Sequence, residues 1–143
     1  MNDLQNVKVV QITPAAAIVD NAPFATAALD TRGFGKLLII VALGALDIAL
    51  TAMKLRESDD NAAYSDVPGA DFSIAPQTLP SATDDNKLYA FHVDLRGRKR
   101  FLDLSLTGGD GTTGTFASVT AILSNAADGP NTAVKRGFAQ EVI

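Results

Sequence analysis

The chain has 143 residues, 47% of them hydrophobic, which is enough for one domain with a buried core and too few for two ordinary domains. Its formal net charge of −4 argues against general nucleic-acid binding, which needs a broad basic surface. It contains no cysteine, so disulfides, thiolate metal sites and cysteine nucleophiles are excluded.

The first half of the chain predicts β-strands. The segment "VKVVQI" predicts a strand that ends near Pro14, and residues 24–30 predict a second one. Residues 36–43 predict a strong strand that is apolar on both faces, which is typical of the middle of a sandwich or of an oligomer contact. "GALD" predicts a bend or one helical turn. In residues 51–58, apolar and basic side chains alternate, as in a half-buried strand.

The run "LLIIVALGALDIAL", residues 37–50, is the most membrane-like part of the chain, but it contains Asp47. It is also shorter than the roughly 20 residues that a membrane-spanning helix needs. We therefore expect this run to be buried core, and we expect no membrane partner.

The second half begins with residues 58–86, which are rich in Asp, Ser, Ala and Pro. They predict a long surface loop, with a short strand at residues 71–74. The segments "KLYAFHVDL" and "RFLDLSL" then alternate apolar and polar side chains around "RGRK", which predicts a hairpin. "TFASVTAIL" predicts the last core strand.

About seven strands separated by turns, without a convincing helix, predict an all-β fold: a single-domain β-sandwich or jelly roll over residues 1–143. Its core is expected at about residues 7–123, with a long loop and extended terminal arms. The tail, residues 124–143, looks like such an arm. Phe138, Val142 and Ile143 are too apolar to stay exposed without a partner, so we expect them at a protein interface.

Few residues in the sequence suggest catalysis. The sole histidine, His92, shares a strand face with Asp94, but there is no G-x-S-x-G nucleophile motif. A histidine at a surface or an interface is the favoured interpretation. "GGDGTTG" lacks the G-K-[ST] ending of a phosphate loop and predicts a flexible turn. We therefore expect no enzymatic activity and no cofactor.

Two acidic pairs, Asp59/Asp60 and Asp84/Asp85, stand in predicted loops. Neighbouring residues of an extended chain point to opposite sides, so neither pair is a natural carboxylate dyad. Loop aspartates commonly bond to their own backbone, and no EF-hand spacing is present. We expect no metal site.

Four cations follow one another closely in the acidic chain: Arg96, Arg98, Lys99 and Arg100. We call them the basic turn. Two interpretations stay open, a solvated turn or a contact with acidic groups of a neighbouring protein, for which arginine is well suited. DNA is disfavoured, because no stacking platform accompanies the charges. Arg100 is the expected exception, paired inside the chain with Asp94 or Asp103.

The segments "KLRESDD", "FHVDLRGRKRFLDLSL" and "GTFASVTAILS", with a Pro/Ser/Thr-rich loop after the first, carry a resemblance. In this order they resemble a group of small structural proteins encoded among the head genes of tailed bacteriophages, the capsid decoration or cement proteins. The resemblance covers roughly residues 5–125. It implies a β-rich protein, often trimeric, seated on the outside of the major capsid lattice.

This resemblance implies a non-enzymatic virion protein that stabilises the phage head as an oligomer. Its expected partners are further copies of itself, as a homotrimer, and the major capsid protein, without nucleic acid. It would lie on the outer capsid surface of the virion, and in the host cytoplasm during assembly. Two alternatives stay open: another virion component, such as a tail or head-completion protein, or a carbohydrate- or receptor-binding β-sandwich. The absence of Trp disfavours the sugar-binding alternative.

Overall fold

The computed structural model describes residues 3–18, 23–109, 111–112, 114–130 and 132–142. A short 3-10 helix precedes the strands. In chain order the elements are the 3-10 helix Asp3–Asn6, β1 Lys8–Ile18, β2 Pro23–Ala25, β3 Leu29–Asp30, β4 Phe34–Leu46, β5 Ala52–Ser58, β6 Ser65–Asp71, β7 Leu88–Asp94, β8 Phe101–Thr107 and β9 Thr115–Ala126. No helix in these ranges is long and apolar enough to cross a membrane.

The strands form two sheets whose pairs are all antiparallel. Sheet 1 has the order β1-β9-β4-β7, and sheet 2 has the order β2-β8-β5-β6, with β3 also paired to β8. Within the described ranges only β5 and β6 pair as consecutive strands. β2 and β3 both pair with β8 in sheet 2, and every other connection crosses from one sheet to the other. This is the strand order of a jelly roll. The predicted all-β jelly roll is confirmed.

The core lies between the two sheets and is built by alternation along each strand. In β4, every second residue from Leu37 to Leu43 is buried, and in β9 every second residue from Ala117 to Leu123 is buried. From sheet 2, Leu102, Leu104 and Leu106 of β8 are inaccessible to solvent. Successive side chains of a strand point to opposite faces, so these apolar residues meet in one layer.

The predicted hairpin around "RGRK" is wrong. β7 pairs with β4 in sheet 1, whereas β8 pairs with β5, β2 and β3 in sheet 2. The basic turn therefore crosses the sandwich instead of joining two paired strands. Alternation identifies a half-buried strand, but it does not identify the strand's partner.

Three further predictions need correction. β1 does not end at Pro14 but continues to Ile18, with register shifts against β9 at residues 11–16. The segment 24–30 forms two short strands, β2 and β3, instead of one. In the loop 58–86, the strand lies at residues 65–71, not 71–74. A strand at the edge of a sheet accommodates proline and polar residues, and such residues weaken the sequence signal.

The tail is not an extended arm in its described part. Residues 132–138 form a turn, closed by hydrogen bonds such as Phe138 N–H to the Ala133 carbonyl at 2.9 Å. The turn contacts β1, because the Val9 N–H donates to the carbonyl of Arg136 at 2.7 Å. The side chain of Arg136 also donates to the Pro130 carbonyl at 3.0 Å and pairs with Glu141. The tail is thus bonded to its own chain.

Candidate interaction surfaces

The outward-facing side chains of sheet 1 form an apolar surface, which we call the apolar face. It consists of Leu38, Ile40 and Ala42 of β4, Leu88 and Ala90 of β7, and Phe116 and Ile122 of β9. The register places these side chains next to one another, since Leu38 is paired with Ile122, Ile40 with Ala90 and Ala42 with Leu88. Leu88 is 71% exposed and Phe116 44% exposed, so the apolar face is open to solvent in the single chain.

Polar residues border the apolar face at one end, and Ser118 and Thr120 of β9 lie within it, opposite Ala42 and Ile40. His92 of β7 is paired with Leu38, and Asp94 is paired with Lys36. His92 and Asp94 are exposed on the same face, as the sequence predicts. Within the described ranges, no group of three or more His, Asp or Glu residues is arranged to hold a metal ion.

The outer face of sheet 2 is charged. Arg56 of β5 forms two hydrogen bonds to Asp103 of β8, at 3.0 and 2.6 Å, and its guanidinium lies 5.4 Å from the ring centre of Tyr64. Next to it, Lys54 donates to Asp66 at 2.7 Å. Charged side chains in such pairs remain compatible with water. The two outer faces of the sandwich therefore differ: one is apolar, and the other carries paired charges.

Two cations of the basic turn form bidentate pairs near the surface. Arg96, whose side chain is 88% exposed, donates to Asp94 at 2.6 to 3.1 Å. This pairing holds the pKa of Asp94 at about 2, below its usual value. Arg100 donates to Asp30 at 3.0 and 2.7 Å and lies 4.8 Å from the ring centre of Phe101. Arg100 also lowers the pKa of Asp30.

The other two cations of the basic turn lie against β5 and the residue that follows it. The guanidinium of Arg98 is 3.5 Å from Glu57, a largely buried carboxylate whose side chain is 10% exposed. The Lys99 N–H donates to the same carboxylate at 3.2 Å. The Lys99 ammonium lies 3.7 Å from Asp59. Glu57 therefore connects the basic turn to sheet 2.

Each cation of the basic turn thus has a carboxylate partner in its own chain. The sequence predicts an internal partner for Arg100, which is correct, but it names Asp94 or Asp103 in place of Asp30. Asp30 is 70 residues away along the chain, so only the pairing of β3 with β8 brings the two together. A contact between the basic turn and a neighbouring protein stays a prediction.

The apolar residues that the sequence assigns to an interface lie in the tail. Phe138 is partly exposed and Val142 is fully exposed. Ile143 lies outside the described residues. Their contact with another subunit also stays a prediction.

A cleft of about 440 Å³ opens at one side of the sandwich, between β6 and β7. Its lining includes Val67, Phe91 and Val93, with Arg98 at one end. The ring of Phe72 lies edge-on to Tyr89 and Phe91, with ring centres 5.5 and 5.0 Å apart. Sequence reasoning missed this cleft, because it forms only where the edge strands of two different sheets face each other.

No family model matches the sequence, and no curated protein matches it significantly. Among solved structures, the chain is similar to the SPBc2 prophage-derived protein YomS, with a TM-score of 0.46 and 14% identity over 82% of this chain and 91% of that one. It is similar to the STIV MCP, with a TM-score of 0.45 and 11% identity over 92% of this chain and 52% of that one.

The structure of infectious bursal disease virus Gx strain gives a TM-score of 0.44 and 8% identity, over 86% of this chain and 33% of that one. The strand order of the chain itself defines the jelly roll.

Proposed function

We propose that the chain is a non-enzymatic virion structural protein, namely a capsid decoration or cement protein that binds the outer surface of a phage head as an oligomer. The observation that carries this proposal is the difference between the two outer faces, one apolar and the other covered by charge pairs such as Arg56–Asp103. A single jelly roll rarely leaves so many apolar side chains on one sheet face in water, and such patches mark protein contacts. The sequence resemblance to decoration proteins supports the same role.

The mechanism follows from the burial of apolar area. Each Å² of apolar surface removed from water contributes about 25 cal/mol, so the apolar face provides the driving force for association. Phe116 and Leu88 provide its most exposed side chains. A trimer can make several such contacts with one capsid lattice. Once the first contact has formed, the others form at a high effective concentration, so the trimer binds tightly although each contact is weak. The charged face of sheet 2 would then lie toward solvent.

The basic turn would add polar contacts to the capsid protein without losing its internal pairs. Arg96 and Arg100 use Nε and Nη2 for Asp94 and Asp30. An arginine carries five N–H donors, so Nη1 of each side chain has donors for a second carboxylate. Exposed pairs of this kind contribute only about 0.2–1 kcal/mol each. Their role would be to orient the oligomer more than to hold it.

The proposal is tested with purified protein and empty mature capsids of the phage whose head genes encode it. Co-sedimentation should give saturable binding with a copy number set by the lattice. Ile40→Lys places a charge in the centre of the apolar face, and we expect it to abolish capsid binding and to lower the mass of the oligomer while the protein stays folded. Ser105→Lys places the same charge on the outer face of sheet 2 and should bind as the wild type does. If the wild type does not bind capsids, the decoration role is wrong.

A further inference from the structure

A jelly roll has four sheet edges, and in the part of the chain that the structure describes, three of them are protected against pairing with another chain. β1 is bonded to the tail through Val9 and Arg136. β2 and β3 have only three and two residues. β6 contains Pro68, Gly69 with φ +77°, and a register shift against β5. Short strands, prolines and bulges prevent edge-to-edge association.

The fourth edge, β7, has none of these devices. Its seven residues, Leu88–Asp94, include no proline, glycine or lysine. Its pairing with β4 runs without a shift from Lys36↔Asp94 to Ala42↔Leu88. β7 is the last strand of sheet 1, with β4 as its single neighbour in the described ranges. It is therefore a regular strand whose outer side is open.

The direction of the backbone groups along β7 follows from two hydrogen bonds. The Leu43 N–H donates to Lys87, and the Leu95 N–H donates to Gly35, both at 3.0 Å. Hydrogen-bonded pairs alternate along an antiparallel ladder, so the odd-numbered residues of β7 direct their backbone groups toward β4. The even-numbered residues direct theirs toward the free edge: Leu88, Ala90, His92 and Asp94.

A second copy of the chain is the partner that complements this edge. If two β7 strands pair antiparallel about a two-fold axis at Ala90, the two Ala90 residues lie opposite each other. Leu88 then lies opposite His92 of the second copy, and Asp94 lies beyond the last residue of the second copy's β7. On the side of the cleft, Tyr89 lies opposite Phe91 of the second copy, an aromatic pair that stabilises a sheet.

Other registers are less favourable. Moving the axis to Phe91 sets Leu88 opposite Asp94 of the second copy, and moving it to His92 sets Ala90 opposite Asp94. With the axis at Ala90, residues 88–92 of the two copies pair, and Asp94 lies beyond the end of the second copy's β7, so its carboxylate is opposite no apolar side chain. An axis at Val93 would set Asp94 opposite His92 but would pair only residues 92–94. The charge pattern of the strand therefore favours one register.

We infer that the β7 edge is a two-fold self-association site, at which two copies pair their β7 strands antiparallel with Ala90 at the axis. The pair would make about six backbone hydrogen bonds and join two four-stranded sheets into one of eight strands. This inference does not rest on the proposed capsid role. If the apolar face also makes a three-fold contact, the two contacts together give a hexamer, so the β7 contact doubles whatever assembly forms without it.

The first test is Ala90→Pro, compared with Ala90→Val. Proline removes the N–H at the centre of the free edge without removing a bond to β4, whereas valine keeps the N–H. Mass is measured by sedimentation velocity at micromolar concentration, and folding by thermal melting. We expect Ala90→Pro to halve the mass of the wild-type assembly and Ala90→Val to leave it unchanged. A folded Ala90→Pro protein with the wild-type mass would overturn the inference, and so would a monomeric or odd-numbered wild type.

A second test does not depend on how the strand tolerates proline. The chain has no cysteine, so a single introduced cysteine can cross-link only to its counterpart in another copy. Opposite residues of a hydrogen-bonded pair have Cα atoms about 5.5 Å apart, within the range that a disulfide spans. We expect Ala90→Cys to give a disulfide-linked dimer on oxidation and Ser118→Cys, in central strand β9, to stay uncross-linked. If both variants, or neither, cross-link, the assignment of the axis to Ala90 is wrong.

Discussion

Arg56 and Asp103 lie directly opposite each other on β5 and β8 and are joined by two hydrogen bonds, from Nε at 3.0 Å and from Nη2 at 2.6 Å. The side chain of Asp103 is 6% exposed. The pair raises the pKa of Arg56 above its usual value. An arginine and a carboxylate matched in this planar arrangement connect the two central strands of sheet 2.

Replacing Asp103 with Asn should destabilise the protein, because the neutral amide accepts one hydrogen bond where the carboxylate accepts two from a charged donor. We expect a loss of about 1.5–3 kcal/mol in the free energy of unfolding, measured by urea denaturation. Asp66→Asn is the matched control, since it removes the more exposed partner of Lys54 and should cost about 0.2–1 kcal/mol. Equal losses in both variants would contradict a special role of Arg56–Asp103.

Arg98 and Arg96 should respond differently to truncation, although both belong to the basic turn. Arg98→Ala leaves the largely buried carboxylate of Glu57 with the Lys99 N–H as its remaining donor, which should cost about 1–3 kcal/mol. Arg96→Ala removes an exposed side chain and should lower the melting temperature much less than Arg98→Ala does. Thermal melting of the two variants measures this difference in stability. A change confined to Arg96→Ala would contradict the structure.

Gly137 should be intolerant of a side chain. It has φ +92°, a backbone conformation that favours glycine, and a Cβ atom there would overlap the carbonyl oxygen of Val9. We expect Gly137→Ala to release the tail from β1 and expose the Val9 N–H, which bonds to Arg136. Hydrogen exchange at Val9 should become much faster, whereas exchange at Val41 in β4 should not change. Equal protection of Val9 in both proteins would show that the tail remains bound.

Asp60 should make stability depend on pH in the acid range. The backbone N–H groups of Ala63 and Ala62 and the hydroxyl of Ser58 hold its pKa at about 2, against about 4 in an unfolded chain. Because the folded value is the lower one, its stabilising contribution is fully present above about pH 4. The contribution is lost as the pH falls from about 4 through about 2.

Asp94 is held at a pKa of about 2 by Arg96, so its contribution has the same sign and the same pH window. Urea denaturation at a series of pH values should show a constant free energy of unfolding near neutrality and a fall below about pH 4. The fall should be smaller in Asp60→Asn and in Asp94→Asn. An unchanged slope in both variants would mean that these carboxylates have ordinary pKa values.

The sequence indicated the strands well where one face of the strand is buried. Alternation in β5, β7 and β8 and the long apolar run of β4 appear in the sequence, and each forms a strand in the structure. The expectation that residues 36–43 are apolar on both faces is also seen, as buried Ile39 and outward-facing Ile40 in one strand. These features depend on the direction of neighbouring side chains, which is a local property of the backbone.

What the sequence did not predict are relationships between distant segments. The basic turn was expected to close a hairpin, but its strands belong to different sheets. The sequence predicts a carboxylate partner for Arg100 in nearby residues, but Asp30 of β3 is the partner in the structure. The proline and polar residues of β6 hide its strand signal in the sequence. The cleft beside β7 forms only when the two sheets pack against each other.

The amino-acid pattern alone therefore indicates that the chain is an all-β protein, where most of its strands lie and which side chains of those strands are apolar. This is possible because successive side chains of an extended strand point to opposite faces, so a half-buried strand alternates apolar and polar residues with a period of two. The packing of the two sheets shows in addition that Ile40 and Leu88 face outward together and that β7 is an edge strand. The order of strands in a sheet is chosen by contacts between segments far apart in the chain, and the energy of those contacts leaves no local pattern in the sequence.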